Sequence, residues 1–213
     1  MIYCGIDEAG RGSVMGPMVV GILRTASDEG LLSLGVKDSK KLSPKRREII
    51  YDELISSFDC HIVEVSASEI DELRKIKSLN EIELDMFCEA FNELPAEVAY
   101  VDCPDINEKR FAASMSKRCA GRVVAEHGAD DRYPATSAAS VIAKVTRDRR
   151  MSKISEELGE NVGSGYPSDR VTMSFIEKWI KHNGRAPLDT RCSWEPVKRM
   201  MSLAVNMKLD DYW

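Results

Sequence analysis

The sequence predicts an α/β protein, a mixed sheet with helices packed against it and a small helical extension at the C-terminal end. Three observations carry that prediction. Strand-like segments come early in the chain, at 1–7, 14–24 and 60–65. Beyond them, helical stretches alternate with single strands at 98–102 and 122–125. After residue 163 only helical patterns remain.

The first strand is the apolar run Met1-Ile2-Tyr3-Cys4-Gly5-Ile6, which closes on Asp7. Val14, Met18, Val19, Val20, Ile22 and Leu23 make the second. Ser43 followed by Pro44 is a helix start, an N-cap and then proline at the first helical position. Ile49, Ile50, Leu54 and Ile55 give that helix one apolar face to about residue 57. Cys60 to Val65 alternates as a third strand, and Ser68 is read as the cap of a short helix. A helix over 79–93 turns Ile82, Leu84, Phe87 and Phe91 inward. Val98 to Asp102 is a strand ending in a carboxylate, and Pro104 blocks its continuation. A helix over 106–118, a strand from Arg122 to Ala125 and a long helix over 135–158 follow. A turn-rich break at 163–168 leads to helices over 169–182 and 195–204, the first stopped by Gly184.

With 213 residues, 43% hydrophobic and 31% charged, the chain has the composition of one globular domain with an appendage. It has no apolar run of about 18 residues and no signal-peptide pattern, so a cytoplasmic monomer is expected. The six cysteines, at 4, 60, 88, 103, 119 and 192, form no C-x-x-C pair and read as reduced thiols. A net charge of −5 argues against a nucleic-acid binder taken as a sum. The distribution says more. Lys37, Lys40, Lys41, Lys45, Arg46 and Arg47 crowd one stretch, and Lys144, Arg147, Arg149, Arg150 and Lys153 another. Glu81, Asp85, Glu89, Glu93 and Glu97 recur every four residues, a solvated stripe on a helix.

Chemistry concentrates at Asp7-Glu8-Ala9-Gly10-Arg11-Gly12. Neighbouring strand residues point to opposite faces, so Asp7 and Glu8 converge only where the strand ends and the backbone turns. A half-buried carboxylate pair is costly without positive charge, and a hard dication such as Mg²⁺ or Mn²⁺ is the usual counter-charge for an oxygen-only site. The glycines flanking Arg11 let the backbone approach a ligand and offer it N–H groups. Asp102 sits at another strand end, the edge where open α/β sheets bind ligands, and Asp130 follows the last strand. Four such acids suit two metal ions about 4 Å apart, the spacing for in-line phosphoryl displacement. Taken singly, each is as readily a solvated acid or a helix cap; taken together beside Gly-Arg-Gly, they point to phosphodiester chemistry.

Gly5-Ile6-Asp7-Glu8-Ala9-Gly10-Arg11-Gly12 resembles the signature of the ribonuclease HII family. Further blocks resemble it in order along the chain. These are Gly35 to Ser43, Tyr100-Val101-Asp102, Ala129-Asp130 through Ser140 and on to Asp148, and Gly163 to Asp169. The resemblance is strongest to archaeal members. It implies a ribonuclease H-like mixed five-stranded sheet, a catalytic domain over 1–162 and a helical extension over 163–205. It implies a metal-dependent endoribonuclease that cuts RNA in RNA–DNA hybrids, including single ribonucleotides in duplex DNA, leaving 5′-phosphate and 3′-hydroxyl ends. Asp7, Glu8, Asp102 and Asp130 are then the catalytic ligands of two Mg²⁺ or Mn²⁺ ions, with Asp131 the rival for the fourth place. Gly10, Arg11 and Gly12 match the segment that senses the 2′-hydroxyl, the group that separates RNA from DNA. Tyr166 matches the tyrosine that stacks on the following sugar. Ser13 departs from the proline many members carry there. The related type 3 enzyme fits less well, since its further N-terminal domain has no counterpart and its fourth acid is Glu. A non-catalytic binder of hybrids or nucleotide phosphates is the reading from a different class.

Lys41, Arg47 and Lys144 read as phosphate contacts on the duplex or as solvated cations; Arg147, three residues from Lys144, shares its helix face. Asn80 resembles a substrate contact, with helix capping the other reading. The segment 206–213 ends in two aromatics. Its spacing resembles a sliding-clamp binding box in which Leu209, Tyr212 and Trp213 form the apolar plug and Asn206 replaces glutamine. The other reading folds it back on the core. Of the histidines, His127 lies near Asp130 in sequence and reads as a proton carrier or a loop imidazole.

Overall fold

The computed structural model describes residues 1–36 and 42–210, with side chains as far as Ala204. Lys41, Tyr212 and Trp213 lie outside the described residues, as do the side chains of Asn206 and Leu209. The elements, in chain order, are β1 (Tyr3–Ala9), β2 (Met18–Thr25), α1 (Glu29–Leu34), α2 (Pro44–Ser57), β3 (Asp59–Val65), α3 (Ala67–Leu73), α4 (Leu79–Glu93), β4 (Val98–Asp102), α5 (Glu108–Ser116), β5 (Arg122–Glu126), α6 (Ala129–Arg132), α7 (Pro134–Leu158), α8 (Arg170–Asn183) and α9 (Glu195–Asp210). They form two compact units that interleave in sequence. Unit one takes Met1–Ala9, Val19–Glu64 and Ser78–Thr146; unit two takes Gly10–Met18, Val65–Lys77 and Arg147–Trp213.

Unit one holds a five-stranded mixed sheet in the order β3-β2-β1-β4-β5. β1 pairs antiparallel with β2 and parallel with β4, and β4 pairs parallel with β5. The register opposes Ile6 to Val101, so the next residues, Asp7 within β1 and Asp102 at the end of β4, stand side by side. The first half of α7 lies flat on this sheet because Gly5 and Gly21 have no side chain. A Cβ on Gly5 would collide with the Ala135 backbone, and one on Gly21 would come within 2.6 Å of the Ala139 carbonyl. Leu23, Ile50, Leu54, Ala138, Ile142 and Val145 make the buried core around that contact. Phe87 of α4 and Phe111 of α5 meet edge to face at 5.5 Å in a second layer. In unit two Met15, Met151, Phe175, Ile176 and Val197 gather the end of α7 with α8 and α9.

Most elements lie where periodicity puts them, and the differences have local causes. β2 starts at Met18 rather than at 14. Val14 and Met15 instead donate their N–H groups to the Gly165 carbonyl, at 2.8 and 3.1 Å, and Pro17 has no N–H for a ladder. Ser66, not Ser68, caps α3, in a reciprocal capping box with Glu69. Ser43 caps α2 and Ser78 caps α4. The short helices α1 and α6 have too few residues to show a period. α9 runs past 204 to Asp210.

Candidate active site

Three carboxylates meet in unit one. One ligand oxygen from each of Asp7, Asp102 and Asp130 lies within 4.8 Å of the other two. Asp7 comes from β1, Asp102 from the end of parallel β4, and Asp130 from α6, which follows β5 after a turn at Gly128. Gly128 sits at φ 67°, a left-handed conformation that glycine adopts without strain. That turn aims the Ala129 N–H at Asp102 Oδ1, 3.1 Å away, so one ligand candidate is bonded to the segment that carries another. Tyr133, just after α6, stacks on Tyr100 of β4 at 4.1 Å and donates its hydroxyl to Glu126.

Asp7 is buried, and its carboxyl is pushed up to about 8. Burial is the largest cause, and the negative charge of Asp102 adds to it, as does that of Asp130. Hydrogen bonds from the Ser140 hydroxyl of α7 and from the Glu8 N–H, 2.7 Å away, work in the opposite direction. Such a group is held in acidic company that a dication relieves, and the donors are all oxygen, which suits a hard metal.

Asp130 is buried within the trio, whereas Asp131 is exposed. Glu8 is not among the three. β1 does not turn at Asp7 but continues through Glu8 to Ala9, so the two neighbours keep the alternation of a strand. His127 does not reach toward the acids as a proton carrier. Its Nε2 lies 2.8 Å from the Asp105 carbonyl, its Nδ1 lies 3.3 Å from Glu108, and its backbone N–H donates to Glu108 at 2.6 Å. Both carboxylate oxygens of Asp105 accept from Nη2 of Arg110, at 2.6 and 2.7 Å, and Arg110 holds that carboxyl below the usual range. Asn80 donates to the same carboxylate at 3.3 Å and lines a cavity of about 330 Å³ with Ser78, Arg110 and Phe111; the cap of its helix is Ser78. Arg47 donates to the Leu42 carbonyl at 3.1 Å, and Lys144 is half-buried on α7.

In unit two the Gly10-Arg11-Gly12 turn is tightly held. The Gly10 N–H donates to the Tyr166 hydroxyl at 3.1 Å, and Gly10 has φ 89°. A Cβ there would lie 2.5 Å from the Pro17 carbonyl and from Arg147 Nε. Gly12 is different, since a Cβ on it would meet nothing within 4 Å. Arg147, read from the sequence as a surface cation, is 1% exposed. Spacing along a helix says which residues share a face, not which way the face looks. Arg147 stacks over Tyr166 with its guanidinium 4.6 Å from the ring centre. Sequence reasoning also passed over Arg191, which is fully buried.

A family model described as ribonuclease HII matches residues 4–197. The chain belongs to the ribonuclease HII family. It is therefore an enzyme, a hydrolase and endonuclease of the ribonuclease H class. The ribonuclease HII of Methanospirillum hungatei is 44% identical over 215 residues, which span 99% of this chain and 100% of that protein. The ribonuclease H2 structure from Pyrococcus horikoshii has a TM-score of 0.90 and 40% identity, covering 96% of this chain and 99% of that one. The ribonuclease HII structure solved as a PCNA complex from Archaeoglobus fulgidus has a TM-score of 0.87 and 41% identity, covering 92% of this chain and 96% of that one. Ribonuclease HII membership and the acidic trio agree, since the family is metal-dependent and the trio is a place to hold a metal ion.

Proposed function

We propose that this ribonuclease HII hydrolyses the phosphodiester of RNA in RNA–DNA hybrids and at single ribonucleotides within duplex DNA. The observation that carries the reading is the convergence of Asp7, Asp102 and Asp130 within 4.8 Å. Those residues, with Glu8 as the family's fourth acid, hold Mg²⁺ or Mn²⁺. Two such ions, when bound, supply activation of water and stabilisation of the leaving oxygen. Water adds to phosphorus, the bond from phosphorus to the 3′-oxygen breaks, and that oxygen takes a proton. The ends are a 5′-phosphate and a 3′-hydroxyl, and no covalent enzyme intermediate forms.

The remaining residues bind and orient. Ser140 and the Glu8 N–H fix the Asp7 carboxylate, and Ala129 N–H fixes that of Asp102. Gly10, Arg11 and Gly12 sense the 2′-hydroxyl, and Tyr166 stacks on the next sugar. The open space at Gly12 supports that role, since the fold itself leaves room for a side chain there. Lys41, Arg47, Asn80 and Lys144 contact the duplex, whose phosphates position it without reading sequence. The A. fulgidus neighbour was solved with PCNA, and this supports docking of residues 206–213, through Asn206, Leu209, Tyr212 and Trp213, onto a sliding clamp.

The test is cleavage of duplex DNA holding one ribonucleotide, with both ends mapped, across a Mg²⁺ and Mn²⁺ titration. Wild-type protein is expected to cut only with metal, and Asp7→Asn to stay folded and lose cleavage. Cutting in excess chelator, or substantial activity in Asp7→Asn, overturns the reading.

A further inference from the structure

Two arginines that solvent does not reach hold the backbone of the glycine-rich turn in unit two. Arg191, fully buried, donates from Nε to the Gly16 carbonyl at 3.1 Å and from Nη1 to the Arg11 carbonyl at 3.0 Å. Arg147 donates to the carbonyls of Ser164 and Met15, at 2.9 and 3.2 Å. A guanidinium withdrawn from water is expensive unless its N–H groups are used. Its rigid fork fixes two acceptors at once, which the point charge of a lysine does not.

The Arg11 carbonyl matters most. It shares one planar trans peptide with the Gly12 N–H, and the two point in opposite directions. Turning that carbonyl toward a buried guanidinium therefore aims the Gly12 N–H the other way. Arg191 is itself held firmly. Its own N–H donates to the Val14 carbonyl, and Gly16 N–H donates to the Asp189 carbonyl, both at 2.8 Å. The Asp71 carboxylate accepts from the N–H groups of Cys192 and Ser193, at 2.7 and 3.0 Å.

Resting on the ribose-sensing role proposed above for Gly10 to Gly12, we infer that Arg191 is a positioning residue for ribonucleotide discrimination. It touches no reacting atom. It sets the peptide that meets the 2′-hydroxyl, and Asp71 steadies the segment that carries it.

The experiment compares single-turnover cleavage of duplex DNA containing one ribonucleotide with the same duplex carrying a 2′-fluoro sugar at that position. Wild-type protein, Arg191→Lys and Asp71→Asn are measured, with the metal dependence of each rate. Arg191→Lys is expected to lower the rate on the ribonucleotide about tenfold and the rate on the fluoro sugar far less, so the ratio narrows. The metal dependence is expected to stay unchanged. Asp71→Asn keeps the guanidinium and is expected to narrow the ratio to a smaller degree, which decides the matter if Arg191→Lys does not fold. A wild-type ratio in the folded variants overturns the positioning role alone. Equal rates on the two sugars in the wild-type protein overturn the ribose-sensing reading, and this inference with it.

Discussion

Two glycines one residue apart do different work. Gly10 is required by the fold, because its positive φ and its closeness to Pro17 and Arg147 leave no space for a methyl group. Gly12 is not, since space around it is open. Gly10→Ala is therefore expected to lower the melting temperature. Gly12→Ala is expected to leave it within about 0.5 kcal/mol of the parent's stability, as for surface changes elsewhere, and yet to lose most cleavage of ribonucleotide-containing duplex. Thermal melts and a cleavage assay on the two variants check this, and full activity in Gly12→Ala would remove the argument for a ligand there. At this scale the sequence was partly legible. Polarity and periodicity reveal Asp102 as the last residue of β4 and place Asp7 near the end of β1, which runs two residues beyond it. That Asp130 is buried and Asp131 is not depends on a four-residue helix with no period to read. That Glu8 stays out of the trio depends on β1 running three residues further than its apolar run, which ends at Ile6.

Among elements, helix caps were legible in part: Ser43 and Gly184 cap their helices as read, Ser66 and Ser78 stand where Ser68 and Asn80 were read, and α8 is capped by Asp169. Its carboxylate accepts from Ser164 N–H at 2.7 Å and from Val171 N–H at 2.9 Å, so it both caps α8 and closes the turn that carries Tyr166. The bond from the Ser164 N–H is the main cause that holds its carboxyl below the usual aspartate range, and the Ser164 hydroxyl adds to it. A group lowered on folding stabilises at pH above its unfolded value, and that contribution disappears as pH falls through the lower folded value. Asp169→Ala is expected to cost about 1 kcal/mol at neutral pH, the usual size for a lost cap. The gap between variant and parent should close below about pH 4, near the unfolded aspartate value. Denaturant melts across pH measure it, and a gap that persists in acid would refute the cap assignment. The start of β2 was less legible, because residues 14–17 are apolar enough for a strand. Their backbone partners sit some 150 residues away at Gly165, and local periodicity carries no such distance.

For the whole chain, binding of ions to the native state shifts stability by mass action, about 2.7 kcal/mol when the ligand stands at a hundred times its dissociation constant. Mg²⁺ or Mn²⁺ is expected to raise the melting temperature of the wild-type protein. In chelator Asp7→Asn is expected to melt higher than wild type, because the substitution removes a carboxyl whose ionisation burial and the charges of Asp102 and Asp130 oppose, and to gain little from metal. Calorimetry with and without metal checks both, and a lower melt for Asp7→Asn in chelator would argue that the trio is not crowded. Removing residues 206–213 is expected to leave cleavage of a short duplex unchanged and to abolish retention on an immobilised sliding clamp. Equal retention of the truncated chain would refute the tail's proposed part. Among the described residues no helix is long and apolar enough to cross a membrane.

The bare spots on the sheet at Gly5 and Gly21 carry a consequence for how the gene tolerates change. Even one methyl group at Gly21 would push against α7 at Ala139, next to the serine whose hydroxyl steadies Asp7. A lesion at a residue that lies opposite Asp7 in the β1–β2 ladder but carries no reacting atom would then silence the enzyme by tilting a helix, and surveys of inactivating variants would find it among residues that take no part in the chemistry.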